Sequence, residues 1–217
     1  MTTLLPADPN ERNALYGYLT RLVRLDPRAC VRAQARGLVL GVWAGPPLDV
    51  VTVRPVALGE PSDDLDVTVS AQRLLERMTP DQHPVQPVEL PAPVPGPTWA
   101  ALLPPRTGWT SVATVPAGAV HDAVRVGVDA VRRRVDVLAE TERTRARLDT
   151  VATEVWGRPV VADVPLRLAH AADLTGLLGR DGEVTAYANG TWLRLGCPGG
   201  SVAGRTGSAH SLDLFAL

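Results

Sequence analysis

Alternating side chains over residues 30–58 constrain the fold of this chain more than any other feature of its sequence. From Cys30 to Arg36, apolar residues occupy every second position and polar residues occupy the positions between them, which is typical of a strand with one solvated face. Leu38–Trp43 and Val50–Leu58 are predicted as further strands, and Leu65–Val69 as a fourth. Because only short turns separate these segments, the sequence predicts an antiparallel meander.

Helices are predicted on both sides of this strand-rich block. Asp8 is a suitable N-cap for a helix from Pro9 to Arg24, and Ser70 for a shorter one. A long helix from Ala117 to Leu138 carries valines at helical spacing, and two more are expected around 148–155 and 163–178. The fold class predicted is therefore α+β, an antiparallel meander sheet with packed helices.

The C-terminal part is predicted to end in a β-hairpin. Glu183–Ala188 and Thr191–Leu195 flank Asn189-Gly190, a pair suited to a type I′ turn, and Ser201–Arg205 is a third short strand. Two helices followed by a hairpin form a winged-helix-like unit by topology alone. The candidate recognition helix, Pro165–Gly179, offers only Arg167 and His170 to a DNA groove, so nucleic-acid binding by this unit is only an alternative interpretation.

A proline-rich segment separates the two halves. Seven prolines fall within residues 79–97, and they remove backbone donors and fix φ, which disfavours both helix and sheet there. We expect a linker, or a strap lying on the surface. The predicted division is 1–78, a linker or strap over 79–97, 98–205, and a flexible tail over 206–217.

Composition excludes several classes of protein. The formal net charge is −1, which disfavours nucleic acid as the main partner. All basic residues are Arg, and Lys and Ile are absent, which indicates a high-GC bacterium and makes a single Arg a weak functional signal. There is no signal-peptide pattern and no apolar stretch long enough to span a bilayer, so a cytoplasmic protein with no membrane partner is expected.

No catalytic, cofactor-binding or metal-binding set is predicted from the sequence. Gly196–Ser201 contains Pro and no Lys, so a turn is favoured over a phosphate loop. The acids at positions 63, 64 and 66 are interpreted as a solvated loop, His121 as exposed, and Arg132–Arg134 as a self-paired helix face. The leading interpretation is a non-enzymatic binding or adaptor protein, with a homodimer as one option.

An enzyme remains the alternative class, because catalytic residues meet in space rather than along the chain. Its pocket would lie between sheet and helices, with His170, Cys197 and the Trp109 region at its rim. Cys197 would need a base, either His170 or His210, to act as a nucleophile.

The C-terminal tail carries a candidate partner-binding segment. Ser211-Leu-Asp-Leu-Phe215 resembles the short peptide by which bacterial replication and repair proteins dock on the DNA polymerase sliding clamp. That pattern has Gln first, where this chain has Ser211. The resemblance implies that the segment binds the clamp as a protein partner, with Leu214 and Phe215 as apolar anchors. The residues expected to make contact are Leu212, Asp213, Leu214 and Phe215.

Overall fold

The computed structural model describes residues 2–79 and 85–206. The fold is α+β, as predicted, and the chain divides into two compact units. Unit 1 comprises residues 1–46 and 51–103, and unit 2 comprises residues 47–50 and 104–217.

A long antiparallel ribbon forms the centre of unit 1. It pairs β2 (Cys30–Ala44) with β3 (Val51–Ser70), so the four predicted strands are in fact two. Gly37 has a φ of +58° and lies where the register shifts, which marks a β-bulge. The bulge moves the buried positions of β2 from odd numbers before it to even numbers after it. Because of this change, both halves of the strand bury the same face.

Two helices pack against this ribbon. The first, α1 (Pro9–Leu25), is capped by the Asp8 carboxylate, which accepts from the backbone N–H groups of Asn10 and Glu11. The second, α2 (Ala71–Glu76), follows the Ser70 cap. One face of α1 is buried, and it carries residues that recur at helical spacing, namely Leu15, Tyr18, Leu19 and Leu22.

Part of the proline-rich segment contributes to unit 1. Two of its residues form β4 (Val88–Glu89), which pairs with β1 (Thr3–Leu4), so the expectation that no sheet forms there is wrong for these two residues. The Val94 N–H donates to the Thr68 carbonyl at 2.9 Å. A single 3₁₀ turn, Thr98–Ala101, ends the unit.

Unit 2 contains four antiparallel strands in the order β10-β9-β8-β5. Their ranges are β5 (Thr110–Pro116), β8 (Glu183–Asn189), β9 (Trp192–Cys197) and β10 (Gly200–Arg205). Between β5 and β8 lie α3 (Ala117–Asp136), a 3₁₀ turn (Glu140–Glu142), α4 (Arg145–Trp156), the short pair β6 (Pro159–Val161) and β7 (Val164–Pro165), and α5 (Leu166–Leu174).

Helices α3 and α5 lie against one face of these strands. That inner face carries fully buried side chains, including Val184, Ala186 and Leu195. A Cβ on Gly127 of α3 would lie 2.6 Å from Leu166 and 3.0 Å from the Trp156 ring. The bare glycine therefore lets α3 approach its two neighbouring helices closely.

The predicted hairpin forms, but its turn lies one residue further on. Asn189 pairs with Trp192, which makes Gly190 and Thr191 the central residues. Only Gly190 has a positive φ, +55°, which is the pattern of a type II′ turn. The predicted type I′ turn at Asn189-Gly190 is therefore wrong. One residue of register decides which side chains face each other across β8 and β9.

Candidate functional site

The outer face of the unit 2 strands, opposite α3 and α5, carries a cluster of arginine and aromatic side chains. Tyr187 and Arg194 are direct cross-strand partners. The Arg194 guanidinium carbon lies 4.4 Å from the centre of the Trp109 ring and 4.5 Å from that of the Tyr187 ring. Both distances suit a cation–π contact. We call the five residues Trp109, Tyr187, Trp192, Arg194 and Arg205 the Arg194 face.

Local structure holds the two rings against Arg194. Gly196 lies beside Tyr187, and a Cβ there would be 3.0 Å from the ring, so the absence of a side chain gives the ring its place. The Asn189 amide donates to the Thr107 carbonyl at 2.8 Å. The Trp109 indole N–H donates to the Pro105 carbonyl, also at 2.8 Å. These two bonds position the segment before β5, and with it the Trp109 ring.

The charge of Arg194 has no carboxylate partner among the described residues. Its Nε is buried without a hydrogen-bond acceptor, and burial lowers the pKa of the guanidinium, while Tyr187 opposes that change. Arg205 stacks on Trp192 at 5.1 Å. Across β5, β8, β9 and β10 the only carboxylate is Glu183, at the far end of β8. The face is therefore locally positive in a chain of net charge −1.

This arrangement is chemically suited to an oxyanion. Two rings restrict the plane of the Arg194 guanidinium, and its terminal nitrogens are not among the buried orphan atoms. A planar fork held in this way can donate two parallel hydrogen bonds to a carboxylate or phosphate.

The residues of the alternative enzyme hypothesis do not have the properties of a nucleophile and its base. Burial raises the pKa of the Cys197 thiol to about 12, so the thiolate is scarce at neutral pH. His170 stacks on Trp156, with ring centres 4.2 Å apart. It is only 3% exposed, and burial lowers its pKa to about 4. Trp109, the third rim residue, lies on the outer face with Arg194.

The winged-helix detail gains no support from α5. Arg167 and His170, the two side chains expected to reach a DNA groove, are both buried. Arg167 donates to the Arg205 carbonyl at 2.8 Å. These contacts make α5 a core helix of unit 2.

Three other sequence interpretations meet different surroundings. His121 is half-buried rather than fully exposed, and its ring lies 3.2 Å from the Asp173 carboxylate and 2.5 Å from the Gly179 carbonyl. The acids at 63, 64 and 66 lie on β3 rather than in a loop, and Asp66 makes a bidentate pair with Arg32. Arg134 pairs with Glu154 of α4 at 2.6 Å.

The tail prediction lies outside the described residues. Leu212, Asp213, Leu214 and Phe215 all follow Thr206, the last residue described. Within residues 2–79 and 85–206, no group of three or more His, Cys, Asp and Glu side chains gathers as a metal site. Over the same ranges, none of the helices has the length and apolarity needed to cross a bilayer.

Comparison with protein families divides the chain in two. Residues 1–101 match the family model described as Domain of unknown function (DUF8010), and residues 104–209 match Domain of unknown function (DUF8185). No curated protein matches the chain.

Solved structures identify the fold. A DNA polymerase sliding clamp from Bartonella birtlesii, bound to griselimycin, aligns with a TM-score of 0.57 at 14% identity, over 94% of this chain and 65% of the clamp chain. The fold resembles that of the sliding clamps. The Caulobacter crescentus pol III beta protein gives 0.53 at 15% identity, over 99% of this chain and 67% of that protein. The Thermotoga maritima beta subunit of DNA polymerase III gives 0.52 at 10%, over 98% and 66%. This chain spans about two thirds of the length of these proteins.

Sequence reasoning missed Arg194 and Tyr187 as members of a site. The signal was present in the hairpin, since a register with Gly190-Thr191 as the turn places these two residues opposite each other. With Asn189-Gly190 as the turn, Tyr187 would instead face Trp192, and the cross-strand pair is lost.

Proposed function

We propose that this chain is a non-enzymatic binding protein with a sliding-clamp-like fold, which docks on a bacterial DNA polymerase sliding clamp through Ser211–Phe215. The observation that carries the proposal is the sequence of that segment. It has Leu, Asp, Leu and Phe in the order of the clamp-docking pattern, and Phe215 is the only Phe in the chain.

The position of the segment in the chain supports this function. The last strand, β10, ends at Arg205, and only residues 206–210 separate it from Ser211. A short extended peptide with two adjacent apolar anchors can fill a groove on a partner, and aromatic anchors supply much of the binding energy at such sites.

The fold supports a binding role rather than an enzymatic one. Its relatives by structure include a clamp that holds griselimycin, so the fold can present a surface to another molecule. In unit 2 the ring of His170 is buried in the core, the half-buried Cys197 thiol has a raised pKa, and the Arg194 face offers charge and rings. The proposal keeps the cytoplasmic location and the optional homodimer predicted from the sequence.

A labelled peptide of residues 208–217, titrated with a purified bacterial sliding clamp in fluorescence polarisation, tests the proposal. We expect saturable binding. Phe215→Ala should weaken it by about 30-fold, because an aromatic anchor contributes roughly 2 kcal/mol. Ser211→Gln restores the residue of the pattern and should strengthen binding about fivefold, through roughly 1 kcal/mol from one more hydrogen bond.

Ala216→Ser is the matched control, because it lies outside the five-residue pattern and should leave the affinity unchanged. A flat titration for both the natural peptide and the Ser211→Gln peptide would end the proposal. Equal affinities for the natural and Phe215→Ala peptides would also contradict it, because binding would then not use the anchor.

A further inference from the structure

We propose that the Arg194 face binds the chain's own segment Ser211–Phe215, with the Asp213 carboxylate on the Arg194 guanidinium. The surface and its occupant are argued from the charges and contacts of unit 2. Only the consequence for clamp binding rests on the function proposed above.

The described residues satisfy Arg194 only in part. Its Nε is buried without an acceptor, and a buried donor that lacks a hydrogen bond is costly to a fold. A Leu or Met at this position would cover the Tyr187 and Trp109 rings without that cost. An Arg at this position, with its guanidinium held between the rings of Trp109 and Tyr187, is explained if an oxyanion binds it.

The tail has the reach to arrive there. The Thr206 N–H donates to the Thr191 carbonyl at 2.8 Å, so the described chain ends beside the turn between β8 and β9. Arg194 is two residues along β9 from Trp192, whose ring carries Arg205. Asp213 is the seventh residue after Thr206, and seven residues span at most about 24 Å. Gly207 directly after Thr206 suits a reversal of direction onto the face.

The tail also has complementary chemistry. Residues 207–217 contain one acid, Asp213, and no Arg. Leu212 and Leu214 flank this carboxylate, so an apolar side chain can lie against the edge of the Trp192 or Trp109 ring, which requires no free ring face, while the carboxylate meets Arg194. A bidentate pair of this kind is among the stronger charge-assisted contacts.

Nucleic acid fits the same face less well. The face supplies two cations, Arg194 and Arg205, and both already occupy aromatic rings. Single-stranded nucleic acid needs a positive groove along several phosphates and free ring faces for its bases. One carboxylate on an apolar segment makes fewer demands and matches what is present.

Docking of the tail on its own chain would compete with docking on a clamp. The apparent affinity for the clamp falls by the fraction of time in which the segment is free. If the segment is docked about nine-tenths of the time, Arg194→Met should raise the affinity of the full chain for a clamp about tenfold. The same substitution cannot change the affinity of the isolated peptide.

Paramagnetic relaxation in the full chain tests the contact directly. A nitroxide is attached at Ala216→Cys in a chain that also carries Cys30→Ser and Cys197→Ala, and the indole N–H signals are followed in a ¹⁵N-labelled sample. We expect broadening of the Trp109 indole signal. Asp213→Asn and Arg194→Met should each abolish this broadening. Arg133→Met is the matched control, because it removes an exposed arginine of α3, on the opposite side of the strands, and it should leave the broadening unchanged.

Arg194→Lys keeps the charge without the planar fork, and we expect it to retain at most part of the broadening. Its spectrum should otherwise be unchanged, which verifies that the variant is folded.

An unaffected Trp109 signal in the parent chain overturns the proposal. Broadening that passes from a labelled chain to an unlabelled ¹⁵N chain in a mixed sample overturns docking within one chain. A chain that ends at Thr206 can also be titrated separately with oligothymidylate and with the 208–217 peptide. A shift of the Trp109 indole signal with oligothymidylate and none with the peptide would assign the face to nucleic acid instead. None of these readouts depends on the clamp.

Discussion

Arginine is used differently on the strands of the two units. In unit 1, Arg32 of β2 meets both oxygens of Asp66 at 2.6 Å, and Arg77 after α2 meets Glu89 at 2.9 Å. In unit 2, Arg194 and Arg205 lie on aromatic rings instead. A carboxylate pair satisfies the charge within the unit, whereas a ring satisfies only the flat surface of the guanidinium and leaves its donors for another molecule. The comparison teaches that Arg32 and Arg77 of unit 1 meet carboxylates within their unit, whereas Arg194 and Arg205 of unit 2 keep donors for another group.

The largest expected effect is a loss of stability in acid that arises from unit 2 and not from the described residues of unit 1. Burial holds the pKa of His170 in unit 2 near 4, below its ordinary value of about 6.5. Between these values the unfolded chain binds a proton that the folded chain does not, so the free energy of unfolding falls as the pH drops from about 6.5 to 4. The loss should reach about 3 kcal/mol at pH 4. Urea denaturation at pH 7 and pH 4 measures it.

His170→Leu is the control for this response, because it fills the same buried position without a titratable group. The variant should lose about 3 kcal/mol less than the natural chain over that pH range. The described residues of unit 1 contain no histidine. An identical pH dependence in variant and natural chain would contradict the burial of a neutral His170.

Removal of one arginine from each unit should give different changes in stability. Arg32→Met breaks a bidentate, partly exposed ion pair, and we expect the free energy of unfolding to fall by about 1 kcal/mol. Arg194→Met, measured in a chain that ends at Thr206 so that the tail cannot occupy the face, keeps most of the stem that covers the rings and removes an unpaired charge. Its stability relative to the same shortened chain should change by less than about 0.5 kcal/mol. Thermal denaturation of both variants measures the two changes in stability. Equal losses would show that Arg194, too, is satisfied within its unit.

A third comparison concerns two strand glycines that lie beside aromatic side chains, one in each unit. A Cβ at Gly196 would lie 3.0 Å from the Tyr187 ring, and one at Gly41 of β2 would lie 3.3 Å from the Trp43 indole nitrogen. Gly196→Ala should cost about 1 kcal/mol, because it displaces the ring beneath Arg194. Gly41→Ala should be close to neutral, because the gain from a stiffer unfolded chain offsets a milder contact. Chemical denaturation of the two variants tests the packing of the face. A larger loss of stability for Gly41→Ala than for Gly196→Ala would contradict it.

The sequence predicts local structure well where one short signal decides it. The Asp8 cap and the spacing of Leu15, Leu19 and Leu22 place α1 almost to the residue, since the capping bond and the buried stripe both lie within a few turns. The sequence pattern divides the long strand β2 in two, because Gly37 interrupts the alternation of apolar and polar residues. A bulge changes the parity of the buried positions and looks like a break in a pattern of period two.

The Arg194 face could not be predicted in the same way. Trp109 precedes Arg194 by 85 positions, and they meet only because β5 and β9 both flank β8. A single Arg carries little signal in a chain whose cations are all Arg. The contact depends on strand order and on the turn at Gly190, and an error of one residue in that turn replaces Arg194 with Trp192 opposite Tyr187.

Calorimetric titration of a bacterial sliding clamp with the full chain, and with a chain that ends at Thr206, tests the account most directly. We predict saturable binding for the full chain, none for the shortened chain, and tighter binding for the full chain carrying Arg194→Met. Equal heats for the full and shortened chains, or no heat for any of the three, would contradict the claim that residues 211–215 are the docking segment.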